Sequence, residues 1–250
     1  MDMNSATDKT LIAVDDLVVT RGSTVVINGA SLRLATAERL AIAGHNGAGK
    51  STLLRALIGL ERVPAGSLSL FGKTCTHEAD FKPARKAIGF LFQDSDDQLF
   101  CPTVIEDVAF GPMNQGLSTR EARAKALQTL NQLGIADFAE RISYRLSGGE
   151  KRLVCLAGLL AMEPRVLLLD EPTTGLDEAN AARLIAILKT VSAAMIIVSH
   201  DMSLLAELAT RATILRGGKL FDATLHRHPH AHNHVHIHAV GDETGGDLPS

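Results

Sequence analysis

Only three cysteines, Cys75, Cys101 and Cys155, occur in the 250 residues of the chain. They have neither metal-ligand nor redox spacing, and an odd number cannot complete a disulfide framework. Reduced packing residues in a cytosolic setting are expected. Long apolar runs are missing too: the longest, Leu153 to Met162, is half of the roughly 20 residues needed to cross a bilayer. The polar stretch Met1 to Lys9 lacks the apolar segment of a secretory signal. A soluble chain with no direct membrane insertion is expected, so that any membrane role comes through a partner. Charge of one sign is also lacking, since 25 Lys and Arg against 28 Asp and Glu leave a net −3. That balance offers nucleic acid and anionic lipid no strong attraction beyond local patches. No internal repeat is visible.

What is present is apolar content, 46% of the chain, enough for one large domain or two small ones. Thr10 to Val19 and Thr24 to Leu34 are rich in β-branched residues around a turn at Arg21-Gly22-Ser23, which predicts an antiparallel pair. Leu40 to Ala43 reads as a short buried strand, Ser51 to Leu60 as a helix, and Gly66 to Phe71 and Ile88 to Phe92 as further strands. The middle third is helical in character. Ser118 with Glu121, and Ser147 with Glu150, have capping-box spacing, opening helices through Leu133 and Met162. An α/β alternation resumes at Val166: strand to Leu169, helix Ala179 to Val191, strand Ile196 to Val198, helix Met202 to Thr210, strand Thr213 to Leu215. The order predicts an α/β fold whose mainly parallel sheet core (residues 1–93 and 164–225) begins with an antiparallel β subdomain and is interrupted by a helical subdomain (94–163).

Gly44-His45-Asn46-Gly47-Ala48-Gly49-Lys50-Ser51 fits G-x-x-x-x-G-K-S and lies between an apolar strand and a helix, the context a phosphate-binding loop requires. Glycines let backbone N–H groups approach the α- and β-phosphates, and the helix N-terminus adds a favourable dipole. Lys50 brings charge to the β- and γ-phosphates, Ser51 a hydroxyl for Mg²⁺, and Thr52 further support. Val166 to Leu169 is an apolar strand that ends in Asp170 and Glu171. Beside such a loop, Asp170 is suited to hold Mg²⁺ through water and Glu171 to act as general base on the attacking water.

Leu146-Ser147-Gly148-Gly149-Glu150, together with the loop, resembles the signature of the ATP-binding cassette (ABC) family, and the whole order of motifs is similar to its P-loop ATPase domain, here 1–225. The resemblance implies an ATPase whose loop holds Mg·ATP while Ser147, Gly148 and Gly149 of a second subunit, a copy or a relative of this chain, close over the γ-phosphate. A helix start suits that contact, with donors and a positive dipole end. The resemblance also implies that Gln93 reaches Mg²⁺ and the attacking water, that Asp177 in Thr174-Gly175-Leu176-Asp177 crosses the dimer interface, and that His200 contacts the γ-phosphate. The family usually stacks an aromatic on adenine near the position of Arg21. A guanidinium plane can stack on a base, or Arg21 can be a turn residue facing solvent.

Phe92-Gln93-Asp94-Ser95-Asp96-Asp97-Gln98-Leu99-Phe100 and Thr103 to Pro112 are similar to the energy-coupling-factor branch, especially its cobalt and nickel importers, with Ser95 where proline is usual. This implies a peripheral ATPase on the cytoplasmic face of the cell membrane. Its partners would be transmembrane coupling and substrate-binding subunits, with Gln98, Leu99 and Phe100 as candidate contacts. Import of another micronutrient, such as a vitamin, and a non-transport ABC role are the alternatives. His226, His228, His230, His232, His234, His236 and His238 recur at every second position of a tail, 226–250, too poor in apolar residues to fold alone. It is expected to be disordered or metal-ordered; neutral imidazoles suit Ni²⁺ or Co²⁺, for capture or sensing. A nickel-insertion GTPase would need an N/T-K-x-D guanine motif, which is absent.

Overall fold

The computed structural model describes residues 10–94, 98–227 and 235–239. The β-branched N-terminal segments pair antiparallel as β1 (Thr10–Arg21) and β2 (Thr24–Ala35), with Arg21 opposite Thr24 at the turn. β3 (Arg39–Ala43) leads through the Gly-rich loop into α1 (Lys50–Leu57). Next come β4 (Arg62–Leu70), β5 (Lys73–Thr74), α2 (Glu78–Arg85) and β6 (Ile88–Leu91). The helical section holds α3 (Val104–Asn114), α4 (Thr119–Gln132) and α5 (Gly148–Ala161). Alternation then returns with β7 (Val166–Asp170), α6 (Glu178–Thr190), β8 (Ala194–Val198), α7 (Met202–Leu208), β9 (Arg211–Arg216), β10 (Lys219–Arg227) and β11 (Val235–Ala239).

The strands form two sheets, β2-β1-β4-β5 and β11-β10-β9-β3-β8-β7-β6. In the second, β9, β3, β8, β7 and β6 are mutually parallel, and β10 and β11 extend it antiparallel. Its central strands are apolar without interruption because both faces are covered. Alternate residues serve different cores. Leu40, Ile42, Val166, Leu168, Ile196 and Val198 pack with α1 and the four-stranded sheet. Ala41, Leu167, Leu169, Met195 and Ile197 pack with α5, α6 and α7 on the other side. Complete burial of each such aliphatic side chain stabilises the fold by about 1.5–3 kcal/mol.

The α/β architecture expected from the sequence is thus observed, with these differences in detail. β4 begins four residues earlier than the strand expected at Gly66, and a register shift between the Ala65 and Arg62 pairings leaves Pro64 out of the ladder, where its missing N–H costs nothing. α2 was not expected; its N-cap is His77, an unusual capping residue, and it contains Pro83. The strand period does not stop at residue 225. β10 runs on through Arg227, and Val235 to Ala239 adds β11 with His226 opposite His236 in register, within the tail expected to be disordered or metal-ordered. Alternation of Val235 and Ile237 with histidine gives that segment its strand pattern. His228, His230, His232 and His234 lie outside the described residues. No helix among the described residues is long and apolar enough to cross a membrane.

Candidate functional site

The parallel strands end on one side of the sheet, and the residues after β3, β6, β7 and β8 converge there on a cleft of about 530 Å³. Open α/β sheets commonly bind ligands at this edge. The loop after β3 passes into α1 through Gly49, whose φ of +102° is left-handed and whose added Cβ would lie 2.8 Å from Val26 Cγ1. Glycine alone fits both demands. Lys50, the first residue of α1, is 7% exposed. Its Nζ donates to the loop carbonyls of Gly44 (2.6 Å) and His45 (3.2 Å) and lies 3.3 Å from His200 Nε2. Burial lowers the Lys50 pKa, against the pull of the Glu171 and Asp170 carboxylates.

Asp170, the last residue of β7, is 2% exposed, and its Oδ1 has no hydrogen-bond partner. Burial raises its pKa, opposed by a hydrogen bond from Ser51. A buried carboxylate oxygen without a donor, beside a hydroxyl, is the hard-oxygen chemistry that suits Mg²⁺, so these residues fit that ion. Glu171 follows with a strained φ of +48°. Its main-chain N–H donates to Val198 O (2.8 Å). Its Oε2 accepts from the His200 N–H (3.2 Å) and from the Ser199 and Thr174 hydroxyls (3.4 Å each). Its Oε1 is 3.3 Å from His200 Nε2. That ring nitrogen therefore faces both Lys50 and Glu171. Protonated, it donates to Glu171; unprotonated, it accepts from Lys50.

Asn46, Gly47, Gly49, Lys50, Ser51 and Thr52 line the cleft, as do Gln93, Asp170, Glu171 and His200. Gly44, His45 and Ala48 shape the loop without lining it. Val26 and Val198 line it too without having been candidates, and Thr174, from the Thr174-to-Asp177 motif, joins them. Arg21 also lines it, but with its Nε 3.5 Å from the Glu61 carboxylate, an ion pair that neither reading of the turn included.

Ser147, Gly148 and Gly149 do not line this cleft. They start α5, where Ser147 Oγ accepts from Glu150 N–H (3.3 Å) and Glu150 accepts in return from Ser147 N–H (2.8 Å). Asp177 caps α6, its carboxylate accepting from the main chain and the side chain of Asn180 (2.8 and 2.9 Å). The same Asn180 lies so close to Gly149 that a Cβ there would sit 2.7 Å from its Nδ2. The signature turn and the Asp177 turn are thereby packed together within one chain.

The segment after β6 sorts the three candidate contact residues. Gln98 turns inward, its side chain donating to Phe90 O (2.9 Å) and accepting from Phe92 N–H (3.0 Å), so the amide is engaged at home. Leu99 packs on the core beneath α3. Phe100 is 64% exposed and meets Phe110, itself 43% exposed, edge to face at 4.7 Å. A second cleft, about 630 Å³, lies between β1, β2 and the β9–β10 edge. Ion pairs of Arg33 with Asp15 and Arg211 with Glu38 occupy its walls, and it contains none of the motif residues.

Residues 27–174 match the family model described as ABC transporter. An ABC transporter ATP-binding protein of Brucella suis biovar 1 is 53% identical over 88% of this chain and 92% of its own length. The cobalt import ATP-binding protein CbiO of Rhodobacter capsulatus is 45% identical over 80% of this chain and 72% of its own. Among solved structures, cbiO1 from Clostridium perfringens, described as part of the ABC transporter complex cbiONQ, superposes with a TM-score of 0.76 at 31% identity, covering 85% of this chain and 87% of that one.

Proposed function

The chain belongs to the ABC transporter family of ATPases, and from that premise we propose that it is the ATP-hydrolysing subunit of a membrane importer for nickel or cobalt. The observation that carries the ATPase chemistry is the convergence of Lys50, Asp170, Glu171 and His200 on one cleft at the end of the parallel strands. The likeness to the cobalt import protein of Rhodobacter capsulatus supports a divalent metal as cargo. An energy-coupling factor ATP-binding protein EcfA of Methanosphaera stadtmanae, 39% identical over 79% of this chain, supports a second reading, import of another micronutrient.

In this reading the loop N–H groups and Lys50 bind the triphosphate. Ser51, Asp170 and Gln93 would hold Mg²⁺, which would supply charge neutralisation on the phosphates. Glu171 accepts a proton from the attacking water, and His200, fixed against Glu171 by the contacts described, orients that water and meets the γ-phosphate. Ser147, Gly148 and Gly149 complete the site of a second subunit, a copy of this chain or a related cassette, so that ATP clamps a dimer, with Asp177 at the interface. Arg21, which lines the cleft and pairs with Glu61, is the residue proposed to stack on the base. Exposed Phe100 and Phe110 suit an apolar contact with a transmembrane partner, which would hold the subunit on the cytoplasmic face of the membrane. Ser95, Asp96 and Asp97 lie outside the described residues.

Glu171→Gln tests the chemistry: turnover should fall by at least about a hundredfold while ATP still drives dimers in size-exclusion chromatography. Normal hydrolysis by that variant would refute the base assignment. The histidine tract is proposed to bind the cargo metal, and deleting residues 226–250 should lower the Ni²⁺ or Co²⁺ stoichiometry in equilibrium dialysis. Unchanged stoichiometry would remove the tract from the metal reading.

A further inference from the structure

Arg152, on the second turn of α5, is 2% exposed. Three of its hydrogen bonds go to main-chain carbonyls of two distant segments: Nη1 donates to Phe92 O, and Nη2 to Gln93 O (2.8 Å) and Glu171 O (3.1 Å). Burial lowers the guanidinium pKa, yet arginine keeps its charge in proteins. Burying a charge is costly, and an apolar residue would fill a core position without that cost. What the guanidinium offers instead is geometry, a rigid planar fork whose fixed N–H donors can meet carbonyls from two chains at once. A lysine ammonium, a single point on a flexible stem, has no such fork.

The two carbonyl sets belong to the residues on which hydrolysis is proposed to depend. Gln93 follows β6, Glu171 follows β7, and Arg152 stands five residues after Ser147 in the helix that the signature turn opens. We infer that Arg152 is a positioning residue, holding the main chain at Gln93 and Glu171 in a fixed relation to the N-terminus of α5. A displacement of the signature turn is then carried by one side chain to both segments of the cleft within the same subunit. The inference rests on the roles proposed for Gln93 and Glu171.

Arg152→Lys and Arg152→Met test it in the full chain, with Leu188→Ala as control, a fully buried α6 residue outside the cleft. Each protein is assayed well below its melting temperature. The Arg152 variants should lose about tenfold or more in kcat with the KM for ATP within about threefold, and Leu188→Ala should lose stability with kcat nearly unchanged. A fall of less than threefold in kcat for a folded Arg152 variant would overturn the proposal, as would an equal kcat loss in Leu188→Ala. Failure of both Arg152 variants to fold would also overturn it, since the residue would then be structural. Full turnover by Glu171→Gln beside a deficient Arg152→Lys would count against the base assignment and leave the positioning of Gln93 standing, so the two readings fail separately.

Discussion

At the scale of single residues the cleft is a set of charges that folding alone would not choose. Asp170 places a carboxylate oxygen in the interior with no donor, and burial raises its pKa, so the ionised form is disfavoured by its surroundings. Asp170→Asn removes that charge at nearly constant shape. It should raise the melting temperature by a few degrees, on the order of 1 kcal/mol, while abolishing Mg²⁺-dependent turnover. A lower melting temperature in scanning calorimetry would mean that the carboxylate stabilises the fold through contacts other than those described. Glu171 shows the same tension in the backbone, since a positive φ at a non-glycine residue is strained. This strain was illegible in the sequence: Asp-Glu after an apolar strand announces the acids and says nothing of the turn that aims the second one back at His200. Arg152 was invisible for a related reason. Its partners are carbonyl groups, which every residue carries, so no side-chain motif marks them.

Among the elements, α5 joins the signature turn to the interior, and its first turn is fixed by charge. Glu150 is held below the ordinary carboxylate pKa first by the Arg141 guanidinium and then by the Ser147 N–H. A depressed folded pKa contributes stability that is present above the unfolded value near 4.3 and is lost as pH falls through the folded value. Wild type should therefore exceed Glu150→Ala in stability at neutral pH by about 0.5 kcal/mol, a figure kept small by solvent screening of the pair. The gap should narrow as pH drops below about 4; melting curves from pH 3 to 7 that run parallel would contradict this. Elements with strong local codes were readable. The boxes at Ser118 and Ser147 announced α4 and α5, and the β-branched or leucine runs of β3, β7 and β8 announced buried strands. α2 was hidden by its histidine cap and internal proline, and β10 by the Gly217-Gly218 turn before it, which reads as an ending rather than a hairpin.

For the whole molecule, the central sheet divides the interior into two cores and gathers the loops of four strands at one edge. The helical section projects a different surface, where Phe100 and Phe110 form an exposed aromatic pair. If that pair meets the transmembrane partner, Phe100→Ser should weaken co-purification of the assembled transporter by about tenfold, a loss of roughly 1.4 kcal/mol, and leave ATP affinity within twofold. Undiminished assembly would exclude it from the contact. Which face would be apolar was only half readable, because Gln98, Leu99 and Phe100 are adjacent in sequence and the structure sends just the third outward.

The strand that carries the phosphate loop has a consequence for how the protein is made. β3 is complete at residue 43, yet its two neighbours in the sheet are β8 and β9, which end at Val198 and Arg216. A ribosome building this chain therefore extrudes the loop long before either flanking strand exists, and pairings so distant in sequence are slow to close. The cleft can be assembled only after β9 has been synthesised, so a nascent chain that stops short of β9 leaves the loop's own strand unpaired on one side.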